Sequence, residues 1–186
     1  MGIDGEVSAR AVFLDRDGVL NAAIVRDGRP YPPARACELE ILPGVPGALD
    51  ELKRDGFVLL VVTNQPDVAR GVQTREAVEA IHARLREELP VDAIYCCDHD
   101  DGDRCVCRKP APGLLLAGAR DWDVDLAASF MVGDRWRDIE AGTAAGCRTI
   151  FVDYQYRERQ PQAFDRRVTS LAEAAAWILA GATPWP

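Results

Sequence analysis

The chain has 186 residues, of which 48% are hydrophobic and 28% charged, which suits one globular domain and argues against disorder. Lys and Arg total 22 against 30 Asp and Glu, so the net charge of -8 argues against a general nucleic-acid-binding surface. No apolar run approaches the roughly 18 residues of a membrane span. The first residues, MGIDGEVSAR, lack the basic start and apolar stretch of a signal peptide. We therefore expect a cytoplasmic protein with no membrane or nucleic-acid partner, and by default a monomer.

Segments of strand character alternate along the chain with segments of helical character. Strands are expected at 11–14, 57–62, 93–95, 130–132 and 149–152. The run FVLLVV is typical of a strand buried on both faces of a parallel sheet. Helices are expected at 45–54, 74–89, 112–121, 136–145 and 170–179, with Gly56 placed to end the first and Thr74 to cap the second. This alternation predicts an α/β fold: a three-layer, Rossmann-like parallel sheet with helices on both faces.

Polar side chains follow the predicted strands, where ligands bind in such sheets. Asp15 and Asp17 follow the first strand, Thr63 the second and Asp134 a later one, while Lys109 stands before the third helix. Several ionised carboxylates cannot lie together without a cation. A hard divalent ion with oxygen ligands, Mg²⁺, is the expected solution.

The residue types at this edge suit phosphoryl transfer. A carboxylate beside Mg²⁺ can attack phosphorus and form an aspartyl-phosphate. Lys109 and the ion could neutralise the phosphoryl oxygens, and Thr63 could hydrogen-bond one of them. Asp17 could protonate the leaving oxygen and later activate water.

The Asp-x-Asp-Gly motif has two simpler interpretations. An EF-hand calcium loop would need an acid or amide where Val19 stands and Glu where Arg26 stands. A surface turn would also use Asp and Gly, but it would not explain the other polar residues at strand ends.

Taken in order, Asp15-x-Asp17-Gly18, Thr63, Lys109 and Gly133-Asp134 resemble the four motifs of the haloacid-dehalogenase-like (HAD) phosphohydrolase superfamily. The strings DRDGVLN, TNQ, ARG, CRKP and GDR resemble one branch of it. That branch contains the D-glycero-D-manno-heptose-1,7-bisphosphate 7-phosphatases and the histidinol-phosphate phosphatases. The match runs from about residue 11 to residue 152.

This resemblance implies a role for each matching residue. Asp15 is expected to be the nucleophile and Asp17 the general acid and base. Asp15, the backbone carbonyl of Asp17, and Asp134 are the expected Mg²⁺ ligands, with Asp138 as a supporting carboxylate. The residues expected to bind substrate are Arg16, Thr63, Asn64, Gln65, Arg108, Lys109 and Arg135.

Four of the six cysteines lie at 96, 97, 105 and 107, with His99 among them. Three thiolates and one imidazole, from Cys97, His99, Cys105 and Cys107, match a closed structural zinc site. The spacing is tighter than in generic zinc motifs, but the resembled branch has a similar C-x-H and C-x-C loop. We expect a zinc-binding loop at about 96–108 that positions Lys109, with Cys96 as a bystander. The alternative is four reduced residues without a metal.

The intervals between the motifs are already occupied by predicted strands and helices, so no large cap domain fits. We expect one HAD-like domain over residues 1–186 with an open site, and segment 21–42 as a possible lid. Arg26, Arg29 or Arg35 of that segment could contact a second anionic group of the substrate, and the alternative for each is an exposed, solvated arginine.

By this resemblance, the chain is expected to be a Mg²⁺-dependent phosphomonoesterase of carbohydrate metabolism. The first candidate substrate is the 7-phosphate of D-glycero-D-manno-heptose 1,7-bisphosphate. Histidinol phosphate, another small phosphate ester or a nucleic-acid 3′-phosphate are alternatives. An alternative of another class is a non-catalytic, zinc-stabilised interaction module.

Overall fold

The computed structural model describes residues 8–181 and shows strands alternating with helices. The strands are β1 (Ala11–Leu14), β2 (Ile24–Arg26), β3 (Arg29–Tyr31), β4 (Val58–Asn64), β5 (Ala93–Cys97), β6 (Phe130–Gly133), β7 (Arg148–Val152) and β8 (Arg166–Val168). The helices are α1 (Val45–Arg54), α2 (Arg75–Glu88), α3 (Gly113–Asp121), α4 (Trp136–Ala145) and α5 (Leu171–Leu179). Three short 3₁₀ turns lie at Ala36–Glu38, Asp101–Asp103 and Leu126–Ala128.

Six strands form one parallel sheet in the order β5-β4-β1-β6-β7-β8. In the centre, Leu14 of β1 pairs with Val61 on one side and with Val132 on the other. All the strands therefore end at the same edge. The predicted three-layer α/β fold is confirmed.

Alternate residues of β1 face opposite layers of helices, as the two-residue repeat of a strand requires. Val12 and Leu14 belong to the core formed with α1, α2 and α5. Ala11 and Phe13 belong to the core formed with α3 and α4. All four residues are fully buried, and burying each large apolar side chain stabilises the fold by roughly 1.5–3 kcal/mol.

Both predicted helix ends are confirmed. Gly56 follows α1 with φ +85°, a left-handed conformation that favours glycine. Thr74 caps α2, since its hydroxyl accepts a hydrogen bond from the Ala77 amide at 3.2 Å.

Segment 21–42 is more ordered than the loop we expected. It contains the antiparallel hairpin of β2 and β3, closed by Asp27 and Gly28 with φ 51° and 75°. Two consecutive left-handed residues make a turn that twists correctly for a hairpin, and Asp-Gly is its usual sequence. The edge strand β8 was also not predicted, because three residues are too few to show a periodicity.

Within residues 8–181 no separate cap domain is inserted between the strands. The first seven residues, on which the signal-peptide interpretation depends, lie outside the described residues, as do the last five. None of the described helices is both long enough and apolar enough to cross a bilayer.

Candidate active site

Three strands bring the first polar residues together. Asp15 follows β1 directly, and its amide donates to the Val132 carbonyl of β6 at 2.9 Å. Thr63 lies near the end of β4, and Asp134 follows β6. Because these three strands are neighbours in one parallel sheet, the edge that holds Asp15 also holds the other two residues.

Lys109 reaches this edge from the segment before α3 and is 2% exposed. Its Nζ donates to Asp15 Oδ1 at 2.8 Å and to the Val62 carbonyl at 2.7 Å, and it pairs with Asp138 Oδ1 at 2.5 Å. Burial would lower the pKa of Lys109, but the charges of Asp138 and Asp15 raise it above its ordinary value. Lys109 is therefore a permanent cation at the floor of the site.

Asp15, Asp134 and Asp138 form a buried cluster whose carboxylate oxygens lie within 4.8 Å of one another. Burial, and then the charge of Asp138, raise the pKa of Asp15 to about 6. Burial, and then the charges of Asp15 and Asp138, raise the pKa of Asp134 well above its usual range. One lysine cannot balance three carboxylates. The cluster fits a divalent cation with oxygen ligands.

Asp134 is the member of the cluster with the clearest need for such a partner. Within residues 8–181, neither of its buried carboxylate oxygens has a hydrogen-bond partner of ordinary geometry, and the Tyr156 hydroxyl is a donor close by. Gly18 approaches it closely, so that a Cβ at position 18 would overlap Asp134 Oδ2. The Gly18 backbone also has φ +88°, which other residues rarely adopt. An acid without a well-formed hydrogen bond, next to a glycine, suits the coordination of a metal ion.

Asp17 sits beside the cluster but in a different environment. Its carboxylate accepts hydrogen bonds from Arg16, from Asn21 Nδ2 at 2.9 Å and from Gln65 Nε2 at 2.9 Å. Burial would raise the pKa of Asp17, but the Arg16 charge and these hydrogen bonds hold it below its usual value. Asp15 and Asp17 therefore have pKa values shifted in opposite directions.

The three residues at the end of β4 take different positions. Asn64 lines the cleft and holds the Lys109 backbone, donating to its carbonyl at 3.0 Å and accepting from its amide at 3.1 Å. Thr63 and Gln65 are buried beneath the cleft and joined by a 2.8 Å hydrogen bond. Gln65 therefore supports Asp17 from below.

A cleft of about 300 Å³ opens above these groups. Of the predicted substrate-binding residues, Asn64, Arg108, Lys109 and Arg135 line it. Thr63 and Gln65 do not, and neither does Arg16, whose contact with substrate stays a prediction. Its side chain is fully buried, because its guanidinium binds Asp17 inside the protein.

The cleft also contains three arginines outside the predicted substrate-binding set. They are Arg29, which was among the arginines of segment 21–42 expected to contact a second anionic group, Arg70 and Arg137. Arg137 pairs with Asp101 at 3.1 Å, as Arg108 does at 2.8 Å. The Asp-Gly turn signal could have found the hairpin that carries Arg29. Arg70 belongs to the string ARG that resembles the branch, whereas none of the quoted strings contains Arg137.

Loop 153–165 supplies two further groups that the sequence reasoning missed. Glu158 pairs with Arg135, accepting from its Nε at 2.9 Å. The pKa of Tyr156 is raised by burial and then by the charge of Asp134. Both contacts join residues far apart in the chain, so no spacing rule could have indicated them.

The predicted zinc ligands converge beside this cleft. Cys107 Sγ lies 3.2 Å from Cys97 Sγ and 3.3 Å from Cys105 Sγ, and His99 Nδ1 lies 3.5 Å from the sulfurs of both Cys97 and Cys107. A tetrahedral zinc ion with these ligands would separate sulfurs by about 3.8 Å and sulfur from nitrogen by about 3.5 Å. The cysteines are free thiols. This Cys/His cluster could therefore bind zinc.

A parallel α/β sheet with these motifs at its strand ends defines a HAD-like phosphohydrolase. A family model described as HAD-hydrolase-like matches residues 106–174. D-glycero-beta-D-manno-heptose-1,7-bisphosphate 7-phosphatase of Yersinia pestis is 37% identical over 92% of this chain and 90% of the relative. The enzyme of that name from Escherichia coli K12 is 36% identical over 92% of this chain and 89% of the relative.

A solved structure gives the same result. The D,D-heptose 1,7-bisphosphate phosphatase of B. bronchiseptica, crystallised with magnesium and phosphate, superposes with a TM-score of 0.78 at 34% identity. The match covers 92% of this chain and 99% of that one. The chain belongs to the family of HAD phosphatases whose relatives are named heptose-1,7-bisphosphate 7-phosphatases. The predicted family and enzyme class, a phosphatase, are thus confirmed, and the comparisons do not favour the other function classes.

Proposed function

We propose that this protein is a Mg²⁺-dependent sugar-phosphate phosphatase that acts through an aspartyl-phosphate at Asp15. The first candidate substrate is the 7-phosphate of D-glycero-D-manno-heptose 1,7-bisphosphate, the compound named in its relatives. The observation that carries the proposal is the contact of Lys109 Nζ with both Asp15 and Asp138, beside an Asp134 carboxylate without a well-formed hydrogen bond. This arrangement supports a site in which Asp15 would be the nucleophile, Lys109 the cation and Asp134 a metal-ligating acid.

In the first step, an Asp15 carboxylate oxygen attacks phosphorus, and the bond from phosphorus to the ester oxygen breaks. Lys109 holds the carboxylate through Oδ1 and carries positive charge next to the transferring group. Asp17 gives a proton to the departing oxygen, so the sugar leaves as an alcohol.

In the second step, water attacks the phosphorus of the aspartyl-phosphate while Asp17 takes the water proton. The bond from phosphorus to the Asp15 oxygen breaks, which releases inorganic phosphate and restores the carboxylate. Asp17 takes up a proton in this step and is then ready to protonate the next leaving group.

Asp15, Asp134 and the backbone carbonyl of Asp17 would hold Mg²⁺. The ion would neutralise the carboxylates and polarise the phosphoryl oxygens. The lack of a well-formed hydrogen bond to either oxygen of Asp134 and its close contact with Gly18 support this assignment. Asp138 would keep Lys109 in place, because it pairs with Nζ and also accepts from the Arg135 amide at 3.0 Å.

The cleft fits a small phosphorylated sugar in volume and charge. Its volume of about 300 Å³ is at the lower end of those that hold small ligands. Arg108, Arg135 and Arg137 on its wall each pair with a carboxylate, whereas Arg29 is exposed at the rim. We propose that Arg29 and Arg108 bind the phosphate that is not cleaved, because a guanidinium matches phosphate geometry.

The zinc loop would have a structural role. Cys97, His99, Cys105 and Cys107 would form a closed shell, which leaves no position for a catalytic water. Cys107 is two residues before Lys109, and the Arg108 amide donates to Cys105 Sγ at 3.4 Å. A metal ion in this loop would therefore fix the segment that carries Arg108 and Lys109.

We also propose that residues 1–186 form a single domain, with the β2–β3 hairpin as one wall of the cleft. The Gly28 carbonyl accepts from the Arg157 amide at 2.7 Å. A Cβ at Gly28 would lie 2.7 Å from Arg157 Cγ, so the hairpin tip packs directly on the neighbouring loop.

The proposal is tested by phosphate release. Purified protein is assayed with p-nitrophenyl phosphate, with and without Mg²⁺, and then with sugar bisphosphates, sugar monophosphates and histidinol phosphate. We expect turnover that requires Mg²⁺, the highest kcat/KM on the heptose bisphosphate, and no turnover by Asp15→Asn. A folded Asp15→Asn variant with substantial activity would rule out the covalent mechanism.

A further inference from the structure

Arg16 is an unusual residue because it is a fully buried arginine. Its guanidinium binds the Asp17 carboxylate with two nitrogens, Nη2 at 2.9 Å from Oδ2 and Nε at 3.2 Å from Oδ1. An unpaired charge would be very costly at this depth. The Arg16 side of the pair is therefore fixed inside the protein, while Asp17 also lines the cleft.

Behind Arg16 lies His82 of α2, which is 1% exposed. The distance between Arg16 Nη1 and His82 Nε2 is 3.2 Å. Arginine has donors but no acceptor, so His82 must accept this hydrogen bond at an unprotonated Nε2. Its proton then sits on Nδ1, which faces Glu79 Oε1 at 3.4 Å.

The charge state of His82 agrees with this geometry. Burial, and then the Arg16 charge, lower the pKa of His82 to about 4. The imidazole is thus neutral near pH 7, where it can accept the bond.

We infer that His82 is a positioning residue: it fixes Arg16, and Arg16 holds the Asp17 carboxylate in the orientation that serves proton transfer. This inference depends on the proposed role of Asp17 as acid and base. Without the acceptor on His82, one buried donor of Arg16 would have no partner, and the guanidinium would move toward another acceptor. Asp17 would move with it.

A loss of Asp17 orientation has a distinctive consequence. The alkoxide of a sugar must be protonated as it leaves, whereas p-nitrophenolate leaves readily without a proton. The ratio kcat/KM reports only the steps up to release of the leaving group. A defect in Asp17 should therefore lower kcat/KM for an alkyl phosphate and have little effect on that for p-nitrophenyl phosphate.

The experiment compares wild type, His82→Leu, His82→Gln and Arg16→Lys on both substrates. The alkyl phosphate is the sugar phosphate on which the wild type is most active. We expect His82→Leu and Arg16→Lys to lose at least about tenfold in kcat/KM on the sugar phosphate, the lower range of acid–base effects. On p-nitrophenyl phosphate they should stay near wild type. His82→Gln, whose amide oxygen can replace Nε2 as acceptor, should recover most of the loss.

Ile81→Val is the matched control, because Ile81 is also fully buried on α2 but packs in the apolar core. It should lower thermal stability without changing the ratio between the two substrates. An equal loss on both substrates in His82→Leu, or no recovery in His82→Gln, would overturn the inference. If His82→Leu does not fold, the inference is tested with Arg16→Lys and His82→Gln. The ratio of kcat/KM on the sugar phosphate to kcat/KM on p-nitrophenyl phosphate should then fall in Arg16→Lys and stay close to wild type in His82→Gln. A wild type without phosphatase activity would instead refute the proposed function.

Discussion

Lys109 and Asp138 form an ion pair at 2.5 Å in which each side chain is only 2% exposed. The two residues come from the segment before α3 and from the first turn of α4. Lys109 also binds Asp15, so Asp138 competes with the proposed nucleophile for the same ammonium group. The position of Lys109 between these two acids determines how much of its charge faces the substrate.

Replacing Asp138 tests this balance. In Asp138→Asn, Lys109 should bind Asp15 more closely and make it a poorer nucleophile. We expect kcat to fall by about tenfold or more, as for other interactions made in the transition state. The free energy of unfolding should fall by about 1–3 kcal/mol, since the buried Lys109 charge loses one of its two charged partners.

The control for this variant is Glu140→Gln on the same helix. Glu140 pairs with Arg159 at the surface, where both side chains are more than a third exposed. An exposed pair contributes at most about 1 kcal/mol, so stability and kcat should change little. Normal turnover in Asp138→Asn would contradict the assigned role. Turnover and thermal unfolding of both variants provide the measurements.

Magnesium should stabilise the protein more strongly at higher pH. The pKa of Asp15 is raised to about 6 without a metal, so protons compete with Mg²⁺ for this carboxyl below that pH. The pKa of Asp134 is raised as well, which extends the competition upward. The increase in Tm caused by Mg²⁺ should therefore be small near pH 5 and larger near pH 8.

The sign of this effect requires a comparison at each pH. For an acid with a raised pKa, the metal-free fold loses stability as the pH rises from about 4, the unfolded value, to about 6. His82, whose pKa is lowered to about 4, contributes stability that increases with pH between about 4 and 6.5. The two contributions oppose each other, so Tm is compared with and without Mg²⁺ at the same pH. An equal Tm increase at pH 5 and pH 8 would argue against carboxylate ligands.

The zinc assignment predicts a specific pattern among the cysteine variants. Wild-type protein should contain about one zinc ion per chain, and Cys105→Ser should lose it, because a four-ligand site needs every thiolate. Turnover should fall along with the metal, since Lys109 lies in the segment that the site would fix. Cys96→Ser should retain both the zinc ion and normal turnover, because Cys96 hydrogen-bonds Asp98 outside the cluster. The prediction is checked by measuring the zinc content and the turnover of wild type, Cys105→Ser and Cys96→Ser. A wild type without zinc would contradict the assignment.

Arg29 should discriminate between substrates with one and two phosphates. Arg29→Ala removes a cation from the cleft rim, so KM for the sugar bisphosphate should rise by about tenfold, typical of one charged hydrogen bond. KM for p-nitrophenyl phosphate should hardly change. Arg26→Ala is the matched control, because Arg26 is on the same hairpin but lies over the Tyr31 ring at 5.7 Å. A similar change in KM for both substrates would exclude a second phosphate at Arg29.

Much of the fold could be predicted because its signals are local. The run FVLLVV forms most of β4, a strand with five buried residues in succession. Thr74 and Gly56 mark helix ends by interactions that span only a few residues. The short β8 has no such signal, and its pairing with β7 depends on the sheet already being formed.

In the candidate site, too, some features have local sequence signals and others depend on the folded structure. Residues that are neighbours in the chain were enough to indicate which residue types stand at the strand ends and that the four cysteine-loop ligands lie close together. The burial of Arg16 against Asp17 and His82, and the position of Arg29 at the cleft, become apparent only in the folded protein. The reason is physical: strand ends and short loops are governed by neighbours in sequence, whereas the burial and pairing of a charge depend on residues brought together by folding.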